Sequence, residues 1–410
     1  MALLEESKAQ FAYNTTNGSV TITAYTGSSS SVVVPGIIDG LPVTLIGNGA
    51  FVYQLFTNLT IPDSVTNIED FALYGCSNLT SVALGNGVIN IGQAAFYNCV
   101  KLRGVAIPAS TVTIGGSAFE YCSALTNLNL GTNVSTLGPS TFTGCALANV
   151  TIPNSVISIG ATAFYGCTNL TNVTFGVNVT SIDEGAFYEC SHLRNVVLPP
   201  LLTNIAIATF EYCTRLTNVV IGPNVWDIGS GAFTYSGLTN ITLPDCTTVI
   251  EDGAFQDCSN LYRVFLGANV MSIGQAAFYA CSNLHGIYFK GNMPTNANQY
   301  AFLDAPKATA YYLPGTAGWT NTFDGLPTAF WTLPYPLILN NRPVFGIQSN
   351  QFTFTISWAT NKSVIVQVCT NLAKPAWQAI RTNALTAGLY SFSDPQWTNY
   401  RGRYYRISSP

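Results

Sequence analysis

Two histidines, eleven cysteines and three recurring pairs of adjacent carboxylates are the residues of this 410-residue chain whose types could do chemistry. His192 and His285 would have to share a metal ion or form a catalytic dyad. The pairs Glu69–Asp70, Asp183–Glu184 and Glu251–Asp252 offer the groups of a glycosidase, whose carboxyls stand about 5–9.5 Å apart. Cysteines pair as disulfides in exported chains, or bind zinc as Cys-x-x-Cys or Cys/His clusters. No such cluster is present, and no G-x-S-x-G, H-E-x-x-H, phosphate-loop or dinucleotide fingerprint appears. Whether the remaining groups can cooperate depends on the elements that carry them.

Those elements repeat. IGQAAFYNC begins at Ile91, and IGQAAFYAC begins at Ile273. The aromatic anchor recurs as Phe51, Phe96, Phe119, Phe142, Phe164, Phe187, Phe210, Phe233, Phe255 and Phe278, with Leu73 in the missing slot. That makes eleven units of 22 or 23 residues, and Phe302 reads as a twelfth, degenerate one. In the unit at residues 91–107, Gly92 permits a tight turn. Ala95, Phe96 and Cys99 fit one helical turn, with Phe96 and Cys99 on a shared face. Val105 and Ile107 have the two-residue period of a half-buried strand. The V-x-x-I text at residues 88–91 predicts a second, shorter strand. One such coil cannot bury its apolar side, but stacked coils share a continuous core. The expected fold is therefore a β-rich α/β solenoid of about eleven coils, with parallel strands and short helical turns.

The stack settles most of the chemistry. Four coils put the histidines on the order of 20 Å apart, too far for a shared metal or dyad. The acidic pairs hold one turn position in coils 2, 7 and 10, where solvated turns are expected. Nine cysteines (Cys76, Cys99, Cys122, Cys145, Cys167, Cys190, Cys213, Cys258 and Cys281) share one slot. Stacked neighbours stand about 4.8 Å apart, whereas the Cβ atoms of a disulfide stand about 3.8 Å apart. They read as small buried hydrophobes, and Cys246 and Cys369, outside the ladder, read as free. No catalytic residue, metal site or cofactor is expected.

Only 8% of residues are charged and the net charge is −4, so no basic stripe is expected to hold phosphates, and nucleic acid is not an expected partner. No apolar run reaches the ~20 residues of a membrane span. MALLEESKAQ lacks the regions of a signal peptide, so the chain is either intracellular or an extracellular or cell-surface chain whose signal has been removed. After Trp331 the period ends, with Pro334 and Pro336 marking a linker. Alternation at Phe352, Phe354, Ile356 and Trp358, then Val364, Val366 and Val368, predicts a small antiparallel β-sandwich. The expected division is a lead-in and β-hairpin cap at 1–45, the solenoid at 46–290, a degenerate repeat and cap at 291–333, and the sandwich at 334–410.

The pattern L-x-x-V-x-L followed by V-x-x-I-G-x-x-A-F-x-x-C resembles the BspA-like (bacterial surface antigen) leucine-rich repeats over roughly residues 45–290. Leu73, Gln54 and Ser236 depart from it. FAYNTTNGSVTITAYTG resembles the hairpin lead-in of such repeats, and residues 308–331 resemble their closing cap. TNLAKPAWQAI and SFSDPQWTNYRGRYYRISSP resemble a fibronectin-like module of exported Verrucomicrobia proteins. The resemblance implies an exported or surface-attached leucine-rich-repeat binding protein with no catalytic residues to carry over, and a terminal module for spacing or attachment.

One column varies along the stack. The residue between the last two apolar positions of the long strand points out of the sheet. It reads Thr60, Ala83, Ala106, Asn129, Thr151 and Thr174, then Val197, Val220, Thr242, Phe265 and Tyr288. The neighbouring column, mostly Asn, gains Arg263. Aromatics and arginine are the types enriched at binding hot spots. The expected contact residues are Arg263, Phe265, Tyr288, Tyr262 and Val220, facing a protein or polysaccharide. Two other readings stand beside this one. The chain could be a self-associating structural surface component, or the patch could be an internal interface under the C-terminal module.

Overall fold

The structure, a computed structural model, describes residues 10–298, 300–333, 335–339, 345–358, 361–385 and 388–409. Pro334 and the first nine residues, which carry the linker and signal readings, lie outside these. Each repeat contributes a long strand such as Gly104–Ala106 and a short one such as Thr113–Ile114. Thr113 pairs in parallel with Asn90 and with Thr136, and Ile114 pairs with Ile91 and with Leu137. Here each column bonds to itself in the next coil without slippage, which holds the inward apolar residues in register; the short-strand ladder is interrupted once, between Ser181–Ile182 and Asn204–Ile205. The short strands make thirteen rungs from Ser19–Tyr25 to Asn296–Ala297. This is two more than the eleven expected. The second strand of the hairpin pairs in parallel with Leu41–Ile46 and so forms the first rung, while the Phe302 unit keeps its own.

Inside, the Phe column is a continuous stack. From Phe96 to Phe302 successive rings lie 4.9–5.6 Å apart and within 18° of parallel. Phe11, Tyr25 and Phe56 close one end against Phe51, and Phe323 closes the other against Phe302.

The expected helical turns are absent: among the described residues the solenoid holds no α-helix. Ala94 and Asn98 take positive φ (51° and 57°), and the same two sites recur in later coils. This interrupts any right-handed helix every four residues. The Phe96 amide donates forward to Ala118 O of the next coil (2.7 Å), whereas that of Tyr97 turns back to Ala94 O (3.1 Å). Alternate amides thus build a third ladder between coils. The spacing of Phe96 and Cys99 fits this double turn as well as a helix.

All eleven cysteines are free, and the nine of the ladder are buried. They are more than small hydrophobes, because each thiol donates to an anchor carbonyl in the preceding coil. Cys190 Sγ reaches Phe164 O and Cys213 Sγ reaches Phe187 O, both at 3.2 Å. Gln54, which replaces cysteine in the first coil, does the same with its amide, donating to Tyr25 O at 3.2 Å. Burial pushes the Cys167 and Cys258 thiols up to about 12. The thiolate that an alkylating reagent attacks is therefore scarce at neutral pH. Iodoacetamide is expected to label at most the half-buried Cys246 in the native protein, and all eleven thiols after denaturation without reductant. Mass spectrometry showing modified ladder cysteines in the native state would contradict this packing.

Beyond the cap, Leu337–Leu339, Phe345–Gln348, Gln351–Ser357 and Leu389–Asp394 form one antiparallel sheet. Ser363–Cys369, Gln378–Ala384 and Tyr404–Ser408 form a second. Their shared core includes Phe354, Ile356, Val366 and Phe392, joined by Leu313 from the solenoid cap.

Candidate ligand-binding face

At the late end of the solenoid, Arg263–Leu266 pairs with Gly286–Phe289, which pairs with Thr309–Tyr312. The register sets Phe265, Tyr288 and Tyr311 side by side. Their alternation with the buried Val264, Ile287 and Ala310 turns all three outward. The rings stack at 4.8 and 4.9 Å. Gly286 makes room for this. A Cβ there would stand 2.6 Å from the Tyr288 ring, which lies over it. Trp331, just past the cap strand Leu326–Phe330, tilts against Phe265 at 6.0 Å and Tyr288 at 5.1 Å. The result is an open groove of about 500 Å³ lined by Arg263, Phe265, Tyr288, Tyr311, Phe330, Trp331 and Thr332.

Of the five residues expected at the site, Arg263, Phe265 and Tyr288 meet in this groove. Tyr262 flanks it, holding the Arg263 guanidinium at 5.1 Å from its ring and the His285 ring at 4.5 Å. Val220 is not brought in, since it is exposed two coils earlier. The sequence reading missed Tyr311, Phe330 and Trp331. Tyr311 follows Tyr288 by one period and could have been found by carrying the column into the degenerate unit. Among the described residues the groove is lined no further than Thr332, and Trp331, which lies over Tyr288, also packs against the core of the C-terminal sheets.

Two of the three carboxylate pairs are more than solvated turns. Glu69 accepts from the Asn48 amide of the preceding coil (2.9 Å), and Asp70 from the Gln93 amide of the next (2.7 Å). Glu251 and Asp252 do the same with Ser230 (2.9 Å) and Gln275 (2.6 Å). These two pairs each clip three coils together, whereas Asp183 and Glu184 are exposed, as expected of a solvated turn. His192 and His285 sit before strands four coils apart, and each turns Nδ1 to a backbone carbonyl.

One carboxylate is poorly served. Asp227 Oδ1 is buried without a hydrogen-bond partner, and burial, then the charge of Glu251, pushes this carboxyl up from 3.8 to about 6. The folded state binds this proton more tightly than the unfolded one. Ionisation therefore costs stability, fully above pH 6 and not at all below the unfolded value. Asp227→Asn is expected to raise the melting temperature at pH 8, with the gap closing between pH 6 and 4. A gap independent of pH would contradict this.

Charge is thin, and the cations hold a restricted set of positions. Every lysine and arginine between residues 46 and 310 lies on a long strand, in the three residues before one, or, for Lys290, just after one. No Asp or Glu holds any of these positions.

The model of the BspA type leucine rich repeat region matches in six copies over residues 44–156, 135–262 and 226–318. The chain belongs to this family. The match ends short of the two C-terminal sheets. A leucine-rich repeat protein of Bacteroides ovatus, 22% identical, shares the fold with a TM-score of 0.56, over 78% of this chain and 86% of that one. A leucine rich repeat protein of T. pallidum is 31% identical over 51% of this chain and 88% of its own (TM-score 0.40). A leucine rich cell surface protein of Faecalibacterium prausnitzii is 24% identical, covering 69% and 94% (TM-score 0.40). No curated protein matches. Among the described residues no helix is long and apolar enough to cross a membrane.

Proposed function

We propose that this BspA-type repeat chain is a non-catalytic cell-surface or secreted adhesion protein that recognises a protein or polysaccharide through its long-strand face. The observation that carries the reading is the groove of Phe265, Tyr288, Tyr311 and Trp331 with Arg263 at its side. Coils from Thr60 to Thr242 place no aromatic residue in the same outward column, so the rings are not required by the coil itself. Aromatic rings and an arginine gathered in one desolvatable hollow are the make-up of a binding hot spot. The inward columns and the clips between coils make a rigid scaffold, which holds such contacts at low entropic cost on binding.

A glycan and surface-protein array probed with the native chain and with Phe265→Thr/Tyr288→Thr tests this. Threonine occupies that column in earlier coils, so the fold is expected to persist. Each anchor contributes about 2 kcal/mol or more when desolvated, so the double variant is expected to lose at least about tenfold in affinity for the native chain's hits. Equal binding by both proteins would place recognition elsewhere.

A further inference from the structure

We propose that the long-strand face takes an acidic polysaccharide, a glycan bearing carboxylate or sulfate groups, laid along the solenoid axis. The proposal rests on the reading of this face as the binding surface. Arginines stand on it in two clusters of coils. In adjacent coils, Arg194 is followed by Arg215; three coils beyond Arg194 stands Arg263. At about 4.8 Å per coil the two arginine positions lie roughly 14 Å apart. All three arginines are exposed, and among the described residues none has a carboxylate within ion-pair distance. Guanidinium is the side chain best matched to bidentate capture of carboxylate or sulfate. An acid-free strip would let such anions approach without local repulsion.

Between the clusters the strip is neutral. Asn195 and Asn218 are exposed beside Arg194 and Arg215, and neither side-chain amide has a hydrogen-bond partner among the described residues. An amide both donates and accepts, which suits the hydroxyls that a glycan carries on every residue. The same spacing disfavours nucleic acid, whose phosphates follow one another closely and reward dense cations. The rings of Phe265, Tyr288 and Tyr311 are stacked on each other. The middle ring thus has no free face for a base.

The experiment measures binding of a polygalacturonate oligomer, a neutral dextran oligomer and a single-stranded DNA of similar length to the full chain, at low and high salt. The expected result is salt-sensitive binding of polygalacturonate, tighter than dextran or DNA. Arg194→Gln/Arg215→Gln/Arg263→Gln is expected to weaken it by about tenfold or more with an unchanged melting curve. No binding of polygalacturonate, equal binding by the triple variant, or tighter binding of DNA would each overturn the proposal. If polygalacturonate fails while Phe265→Thr/Tyr288→Thr still abolishes a neutral or protein array hit, the acidic-glycan assignment alone falls.

Discussion

Phe187→Ala is expected to cost about 3–5 kcal/mol of stability. The ring is fully buried, stacked at 5.2 Å on Phe164 and 5.6 Å on Phe210, with Phe175 edge-on at 5.7 Å. The cavity left by alanine cannot collapse along the axis, because ladders on several sides fix the spacing of the coils. Each coil is stabilised by its two neighbours, so one missing ring weakens two interfaces at once. Denaturant unfolding should show the loss, with the transition broadening as the two halves uncouple. Phe187→Leu is expected to cost much less, since Leu73 fills that slot, fully buried, in the second coil. Equal losses for Ala and Leu would mean that cavity volume does not govern this column.

The second large effect comes from the smallest side chain. Gly267→Ala is expected to destabilise by about 3 kcal/mol or more, the upper end of overpacking. A Cβ at Gly267 would stand 2.1 Å from Pro244 O in the preceding coil. Backbone cannot rotate away as a side chain could. The corner has a two-coil rhythm. After the long strand the chain reads Pro62, Gly85, Pro108, Gly131, Pro153, Gly176, Pro199, Gly222, Pro244 and Gly267 in successive coils. The added Cβ would meet the proline carbonyl at 2.1–2.4 Å at Gly85, Gly131, Gly176 and Gly267, and at 3.3 Å at Gly222. Thermal melts of Gly267→Ala and Gly222→Ala therefore make a graded pair, with the first far more damaging. Similar melting temperatures for the two would show that the close approach is not what fixes glycine here.

The solenoid was legible because each inward column keeps nearly one residue type, so the period survives the loss of a residue in three coils. The turn after Gly92 was not legible. A separation of three between Phe96 and Cys99 describes a helix and a double turn alike, and only the positive φ at Ala94 and Asn98 separates them. The role of the cysteine slot was half visible. Burial followed from the period, but the bond to an anchor carbonyl needs the neighbouring coil in place. Phe265, Tyr288 and Arg263 were found because they break their columns. Trp331 could not be found that way, because it lies past the last repeat and the path of the cap alone brings it over Tyr288. The restricted placement of the cations was hidden for another reason. In sequence, cations and acids follow one another irregularly, and coiling alone gathers the cations along the long strands, with Lys290 meeting Asp245 at the edge.

The central claim is that recognition happens on the long-strand face at the late coils. The turn ladder offers a rival surface, an exposed tyrosine series that includes Tyr121, Tyr165, Tyr212 and Tyr235. Hydroxyl-radical footprinting of the native chain, with and without its strongest array hit, compares the two faces in one measurement. The account predicts protection of Phe265, Tyr288, Tyr311 and Trp331, with the tyrosine series unchanged. Protection confined to the tyrosine series, with Tyr288 and Trp331 as reactive as before, would contradict it.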